Sequence, residues 1–216
     1  MRQTLPAIVL ALSLGLASPA AVAASSGPQQ VVGDSITAVQ EMKAESGLAR
    51  SGLLRRAKAV LIVPSAVKVA VGVGGEGGQG VLLVRRGRSW SDPAFYTVAS
   101  ASAGFQLGAR DTTIILLIMT DRALNAFLQG NNVTVGAQAN LTAAQYSANR
   151  VGELGGQDIV LWSRSEGLFA GGSVSVQGFT QNRDYDSRYY GRDVPAAAII
   201  RGAVRNPDAG RLRAAL

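Results

Sequence analysis

The apolar residues of this chain change period once, between residues 46 and 59, and that change constrains the fold more than any other feature. Upstream of it, Val32, Ile36, Val39 and Met42 recur at three- and four-residue steps, with Gln40, Glu41 and Lys43 between them. That spacing predicts a helix with one apolar side, starting near Asp34 or Ser35 and ending at Ser46-Gly47. Ser51 can cap a second, short helix through Leu53, Leu54 and Ala57. Downstream the period is two. Ala59 to Val63 is an apolar strand closed by Pro64, and Val67, Val69, Val71 and Val73 alternate with Lys68, Ala70 and Gly72. A glycine-rich turn over 74–80 and a strand from Val81 to Arg86 would complete a hairpin.

Further strands are expected over Ser102 to Ala109, over Thr112 to Met119, from Val133, from Ile159 to Ser163, and from Leu168 to Val176. Thr120 can cap a helix carrying Leu124, Phe127 and Leu128. Pro195 and Pro207 stand where helices begin, the second after a capping Asn206. Most strand connections are too short for the crossovers that parallel pairing needs. The expected fold is therefore α+β: a curved, mainly antiparallel, barrel-like sheet flanked by helices, in a single domain. Trp90, Phe95 and Tyr96 around Pro93 are expected to be core aromatics. Arg183, Asp184, Asp186 and Arg188 are expected on a solvated helix face.

The first residues fall outside that domain. Arg2, the apolar run from Leu5 to Leu16 and the small residues Ala21-Val22-Ala23 have the layout of a secretory signal peptide. Cleavage is expected after Ala23, giving residues 1–23 as signal peptide and 24–216 as the domain. The expected location is outside the cytoplasm, in the periplasm or associated with the cell envelope.

Composition narrows the chemistry. The chain has no histidine and no cysteine. It lacks the commonest general base at neutral pH, the thiolate nucleophile and the soft zinc ligands. Neither GxSxG nor a GxxxxGK[ST] phosphate loop occurs. Gly72, Gly74 and Gly77 match GxGxxG, but a strand rather than a helix is expected to follow, which removes the dinucleotide reading. The expectation is a protein that is not an enzyme, with no cofactor and no metal. Two carboxylates converging in a cleft would reopen the question.

Charge is concentrated. Residues 46–91 hold eight cations against Glu76, a balance of +7 that equals the net charge of the whole chain. Basic segments of this kind are drawn to anionic membrane surfaces. The first predicted helix is not part of that attraction, because its polar side carries Glu41 and Glu45 against Lys43. A helix lying on a membrane carries Lys and Arg there. Contact with a membrane is expected only after Gly47.

The motifs also have a recognisable order. Lys58-Ala59-Val60-Leu61-Ile62-Val63-Pro64-Ser65, Val67-Lys68, the glycine segment and Gly80-Val81-Leu82 resemble the opening of a SYLF domain. Trp90-Ser91-Asp92-Pro93-Ala94-Phe95 resembles its WSxPAF element, and Ser102 to Ala109 its SxGxQxGA element. Ser163-Arg164-Ser165-Glu166-Gly167-Leu168-Phe169-Ala170-Gly171 is close to its SRSxGLFAG element, and Tyr189-Tyr190-Gly191 fits its ending. The resemblance runs from about Val31 onward. It implies a lipid-binding domain without catalytic residues; eukaryotic members are associated with phosphoinositide membranes and the yeast branch also with actin.

Together these readings predict non-enzymatic, peripheral binding of anionic phospholipid. Arg50, Arg55, Arg56, Lys58 and Lys68 would meet headgroups, with Arg85, Arg86 and Arg88 as a second cluster. No nucleic acid partner is expected. The alternative is an interaction or scaffold module of the envelope that binds protein partners and no lipid.

Overall fold

The computed structural model describes residues 27–129, 133–135, 141, 143–146, 156–171 and 174–216. The signal-peptide expectation for residues 1–23 lies outside them. The chain opens with α1 (Pro28–Ala44), α2 (Ser46–Ser51) and α3 (Leu53–Arg56). Pro28 sits in the first turn of α1, where its missing N–H costs nothing. One side of α1 buries Val31, Val32, Ala38, Val39 and Met42. Ser35, buried on the same side, is satisfied by donating to the Val31 carbonyl at 2.7 Å. Ser51 does not cap α3 as expected: it is the last residue of α2, its Oγ donates to the Leu48 carbonyl at 2.7 Å and accepts from the Leu53 N–H at 3.2 Å, and the residue before α3 is Gly52, left-handed at φ +68°.

The strand β1 then runs without interruption over Ala59–Arg86, through Pro64 and through the glycine-rich segment. The expected turn at 74–80 is absent. These residues form ladder pairs with β3 (Ala94–Ile118), from Ala59↔Ile118 to Leu82↔Ala94, with Gly77↔Ala99 and Gly80↔Tyr96 among them. The reversal comes later, at the short β2 (Ser89–Trp90), which pairs back on Arg85 and Arg86. The glycines serve close approach instead of a turn. An ideal Cβ on Gly80 would lie 2.6 Å from the Ile62 carbonyl oxygen, so the second half of β1 crosses directly over the first. Register shifts between Val63 and Ala66 and between Val71 and Val73 increase the bend. The strand closes on itself: the Arg85 N–H donates to the Lys58 carbonyl at 2.7 Å.

After α4 (Asp121–Gln129) come β4 (Val133–Val135), β5 (Ala143–Gln145), β6 (Ile159–Gly171) and β7 (Val174–Gln181). β6 pairs with one half of β3 and β7 with the other. In succession they follow β3 from Ile118 back to Tyr96, so three long antiparallel ribbons curl together. β4 pairs antiparallel with β7, and β5 pairs parallel with β6. The sheet is therefore mainly antiparallel and curled, as expected. The chain ends with α5 (Arg183–Tyr190), α6 (Ala196–Arg201) and α7 (Ala209–Ala215).

Two groups of buried side chains pack on the sheet, one on each face, where its side chains are described. Val60, Ile62, Leu83, Phe95, Ile115 and Trp162 pack against Val39 and Met42 of α1, Leu53 of α3, Tyr185 of α5 and Leu212 of α7. Leu61, Val63, Leu82, Tyr96, Leu116 and Phe179 pack against Phe127 of α4 and Ile199 of α6. A strand buried on both faces needs apolar residues at every position, which is why 59–63 and 114–118 read as unbroken apolar runs. Trp90, Phe95 and Tyr96 are all buried, as expected. Phe95 meets Tyr185 and Tyr189 edge to face, with centroids 5.9 and 5.2 Å apart.

One expectation on α5 is corrected. Arg183, Asp184 and Arg188 are exposed and ion-paired, to Asp193 and to each other, but Asp186 is 0 % exposed. Its carboxylate accepts from the Phe95 N–H at 2.9 Å and from Gln181 Nε2 at 2.7 Å. The helix is pinned to the sheet through it. Charge content alone places an aspartate outside, whereas two donors facing inward hold this one inside.

Candidate functional site

The eight expected cations do not share one role. Arg55 and Arg56 are exposed at the end of α3, and Arg50 is exposed in the last turn of α2. Arg86 and Arg88 are exposed at the β1–β2 turn. Lys58 is drawn to Asp121 at the start of α4, with Nζ 2.9 Å from the carboxylate. The side chain of Lys68 lies outside the described side chains.

Arg85 is half-buried and structural. Its Nε donates to the Ala57 carbonyl at 2.9 Å and its Nη2 to the Leu54 carbonyl at 2.6 Å. Its guanidinium also lies 4.1 Å from the centre of the Trp90 ring. Burial lowers its pKa from the ordinary arginine value. The consequence is geometric. Arg85 ties the backbone of α3 to the end of β1, the strand end that leads into the turn carrying Arg86 and Arg88.

A cleft of about 890 Å³ lies between the β1–β2 turn and the segment from Gly202 to Leu216. Its lining holds five arginines, Arg85, Arg86, Arg88, Arg205 and Arg213, against one carboxylate side chain, Asp92. Asp92 is 3 % exposed in its side chain and fully used. One oxygen takes the Arg213 guanidinium and the other takes the Asn206 N–H at 3.0 Å. Asn206 Nδ2 in turn donates to the Tyr189 carbonyl at 2.9 Å. The loop carrying Arg205 is thereby fixed to the β2–β3 connection. Arg86, Arg88 and Arg205 have no ion-pair partner among the described residues.

Sequence reasoning missed Arg205, Arg213 and Asp92. The signal for them is weak: Arg205 and Arg213 lie over a hundred residues from the basic segment, among arginines balanced by acids. Gly202 is part of the same construction. Its backbone is left-handed, with φ +86°, and an ideal Cβ there would lie 2.9 Å from an Arg86 guanidinium nitrogen.

A second cleft, of about 260 Å³, lies between α1 and the bend of β1 and β3. It is lined by Asp34, Glu41, Asp111 and Arg164 with the hydroxyls of Thr37, Ser65 and Thr113. Asp111 accepts from Ser65 Oγ at 2.9 and 3.0 Å, and Glu41 faces Arg164 at 3.5 Å. Asp186, whose carboxyl burial pushes up to about 6, lines neither cleft. Among the described residues no cluster of acids could hold a metal ion, and no helix is long and apolar enough to cross a membrane.

The model of the Ysc84 family, described as Las17-binding protein actin regulator, matches residues 99–216, more than half of the chain. SH3 domain-containing YSC84-like protein 1 of Xenopus laevis is 28 % identical over 152 residues, which cover 68 % of this chain and 45 % of that protein. LAS seventeen-binding protein 3 of Saccharomyces cerevisiae is 29 % identical over 163 residues, 73 % of this chain and 35 % of that protein. The chain thus spans less than half the length of these relatives. The family description and the yeast relative's name are those of binding proteins.

Proposed function

The chain belongs to the Ysc84, or SYLF domain, family, and on that premise we propose that it binds anionic phospholipid peripherally, without catalysing a reaction. The carrying observation is the pair of hydrogen bonds from Arg85 to Leu54 and Ala57, which joins the backbone of α3, with its exposed Arg55 and Arg56, to the strand end that leads to Arg86 and Arg88; on this reading the two pairs share one basic surface. A continuous basic surface attracts an anionic membrane by about 1 kcal/mol per cation. The signal-peptide pattern of residues 1–23 supports placing that membrane in the cell envelope. Lys58 contributes less, because Asp121 offsets its charge.

Co-sedimentation with vesicles tests this reading. Phosphatidylcholine vesicles containing phosphatidylglycerol should bind the protein, pure phosphatidylcholine vesicles should not, and salt should weaken the binding by screening. Equal binding to both vesicle types would overturn it. A second reading, a scaffold that binds protein and no lipid, draws on the relatives' printed names. Failure to bind either vesicle, with capture of a defined envelope protein, would favour it.

A further inference from the structure

The cleft between the β1–β2 turn and the Gly202–Leu216 segment has more structure than diffuse attraction to a charged surface needs. We propose that it is a discrete phosphate-ester site, in which Arg86, Arg88 and Arg205 take the phosphate oxygens. It deepens the anionic-phospholipid reading, on which it rests for its physiological ligand.

Three observations converge. The first is surplus charge in a concave space: five lining arginines face one carboxylate side chain, and that carboxylate is saturated by Arg213 and the Asn206 N–H. Arg85 is held by two backbone carbonyls, which leaves Arg86, Arg88 and Arg205 without an ion-pair partner among the described residues. The second is fixed geometry. Arg213 is held by Asp92, Arg85 by two backbone carbonyls, and the loop beside Arg205 by Asn206. Gly202, whose left-handed backbone ends α6, lies beside the Arg86 guanidinium. Sites built on pinned elements lose less entropy on binding.

The third is the chemistry of the donors. Guanidiniums present planar forks that match phosphate oxygens in pairs. The lining hydroxyls are already engaged, Ser91 with Val84 N–H and the Asp92 carbonyl, and Ser89 with the Arg86 carbonyl. The aromatic in the lining, Trp90, is 6 % exposed and its ring is taken by Arg85, so no base-stacking platform is offered. A volume of about 890 Å³ is larger than a phosphate and leaves space for the esterified group.

The same phosphate could come from a lipid headgroup or from a free phosphate ester, and the experiment separates them. Glycerol 3-phosphate is titrated into the full chain by calorimetry and tested as a competitor of phosphatidylglycerol vesicles. Saturable binding is expected, weakened about tenfold or more by Arg88→Gln or Arg205→Gln. Arg188→Gln, an equal charge change on α5 outside the lining, should leave it intact. Competition with vesicles assigns the site to the lipid headgroup. Binding of glycerol 3-phosphate without any vesicle binding keeps the site, assigns it to a free ester, and overturns the phospholipid reading alone. Vesicle binding with no glycerol 3-phosphate binding or competition overturns the site alone. An equal loss in Arg188→Gln, or tighter binding of a single-stranded oligonucleotide, would also overturn it.

Discussion

Gly80 lies directly over the carbonyl oxygen of Ile62, so close that an ideal Cβ would sit 2.6 Å from it, and Val63 is 2.8 Å away on the same side. Both neighbours belong to β1 itself, and the oxygen is backbone. The oxygen cannot yield without moving one half of β1 relative to the other. Gly80→Ala should therefore destabilise the protein strongly, by about 1–3 kcal/mol or more, as overpacking in a tight core does. Gly33 is the control. It lies in the exposed middle of α1 with nothing within 4 Å of a Cβ. Gly33→Ala should stabilise by about 0.5–1 kcal/mol through helix propensity and chain entropy. Urea melts of the two variants check the pair. If Gly80→Ala unfolded at the wild-type midpoint, the crossing of β1 over itself would be wrong.

Asp186 makes stability depend on pH. Its carboxyl is raised to about 6, first by burial, with hydrogen bonds from Gln181 and Phe95 working against that rise. An unfolded aspartate titrates near 3.9. Between those values the folded state holds the proton and the unfolded state does not, so stability rises as pH falls from neutral through 6 and levels off below about 4. The gain is on the order of 2–3 kcal/mol for a shift of this size. Asp186→Asn removes the titration, and Asn Oδ1 can still accept from the Phe95 N–H. From pH 7.5 to pH 4.5 the melting temperature of wild type should rise relative to that of Asp186→Asn. A constant difference would mean that the carboxylate is not held above its ordinary range.

Much of the fold was legible because its strongest signals are local. The apolar side of α1, the Thr120 cap of α4 and the apolar runs at 59–63 and 114–118 report burial directly. The continuity of β1 was not legible. Glycine at 74–80 reads as a turn when its local freedom is considered alone. Here it is selected by a carbonyl at Ile62, eighteen residues earlier. The site divides in the same way. Clustering of Arg85, Arg86 and Arg88 along the chain is visible, but the carboxylate that fixes the cleft is Asp92 and its partner is Arg213, 121 residues away. No spacing rule joins residues that meet only when α7 docks.

Arg85 and its neighbours should separate stability from binding. Arg85→Gln would leave the Leu54 and Ala57 carbonyls without their charged donor and remove the contact with Trp90. Loss of hydrogen bonds from a charged group costs about 1.5–3 kcal/mol, so its melting temperature should fall. Arg55→Glu with Arg56→Glu alters two exposed side chains. It should leave the melting temperature nearly unchanged and weaken binding to phosphatidylglycerol vesicles, with a shallower salt dependence. Equal vesicle binding by wild type and the double variant would remove α3 from the binding surface.

The role of α1 gives the last prediction. Its buried side packs Val39 and Met42, both 0 % exposed, against Ile62, Leu53 and Trp162 in the core. Its polar side holds Asp34 and Glu41, the latter facing Arg164 at 3.5 Å, Glu45 follows at its C-cap, and Lys43 is turned to the Ala215 carbonyl of α7 at 2.8 Å. An anionic membrane would repel that side, while the apolar side is already occupied by the sheet. The helix should therefore act on stability and not on lipid. Met42→Ala should cost about 2–5 kcal/mol, the range for truncating a large buried side chain. Ile36 is only partly buried against the same cluster, so Ile36→Asp should also lower the melting temperature, with a smaller penalty. Below its own melting temperature each variant should bind phosphatidylglycerol vesicles like wild type. Abolished vesicle binding by Ile36→Asp at unchanged stability would instead make α1 the membrane anchor, and would require it to leave the sheet when it binds.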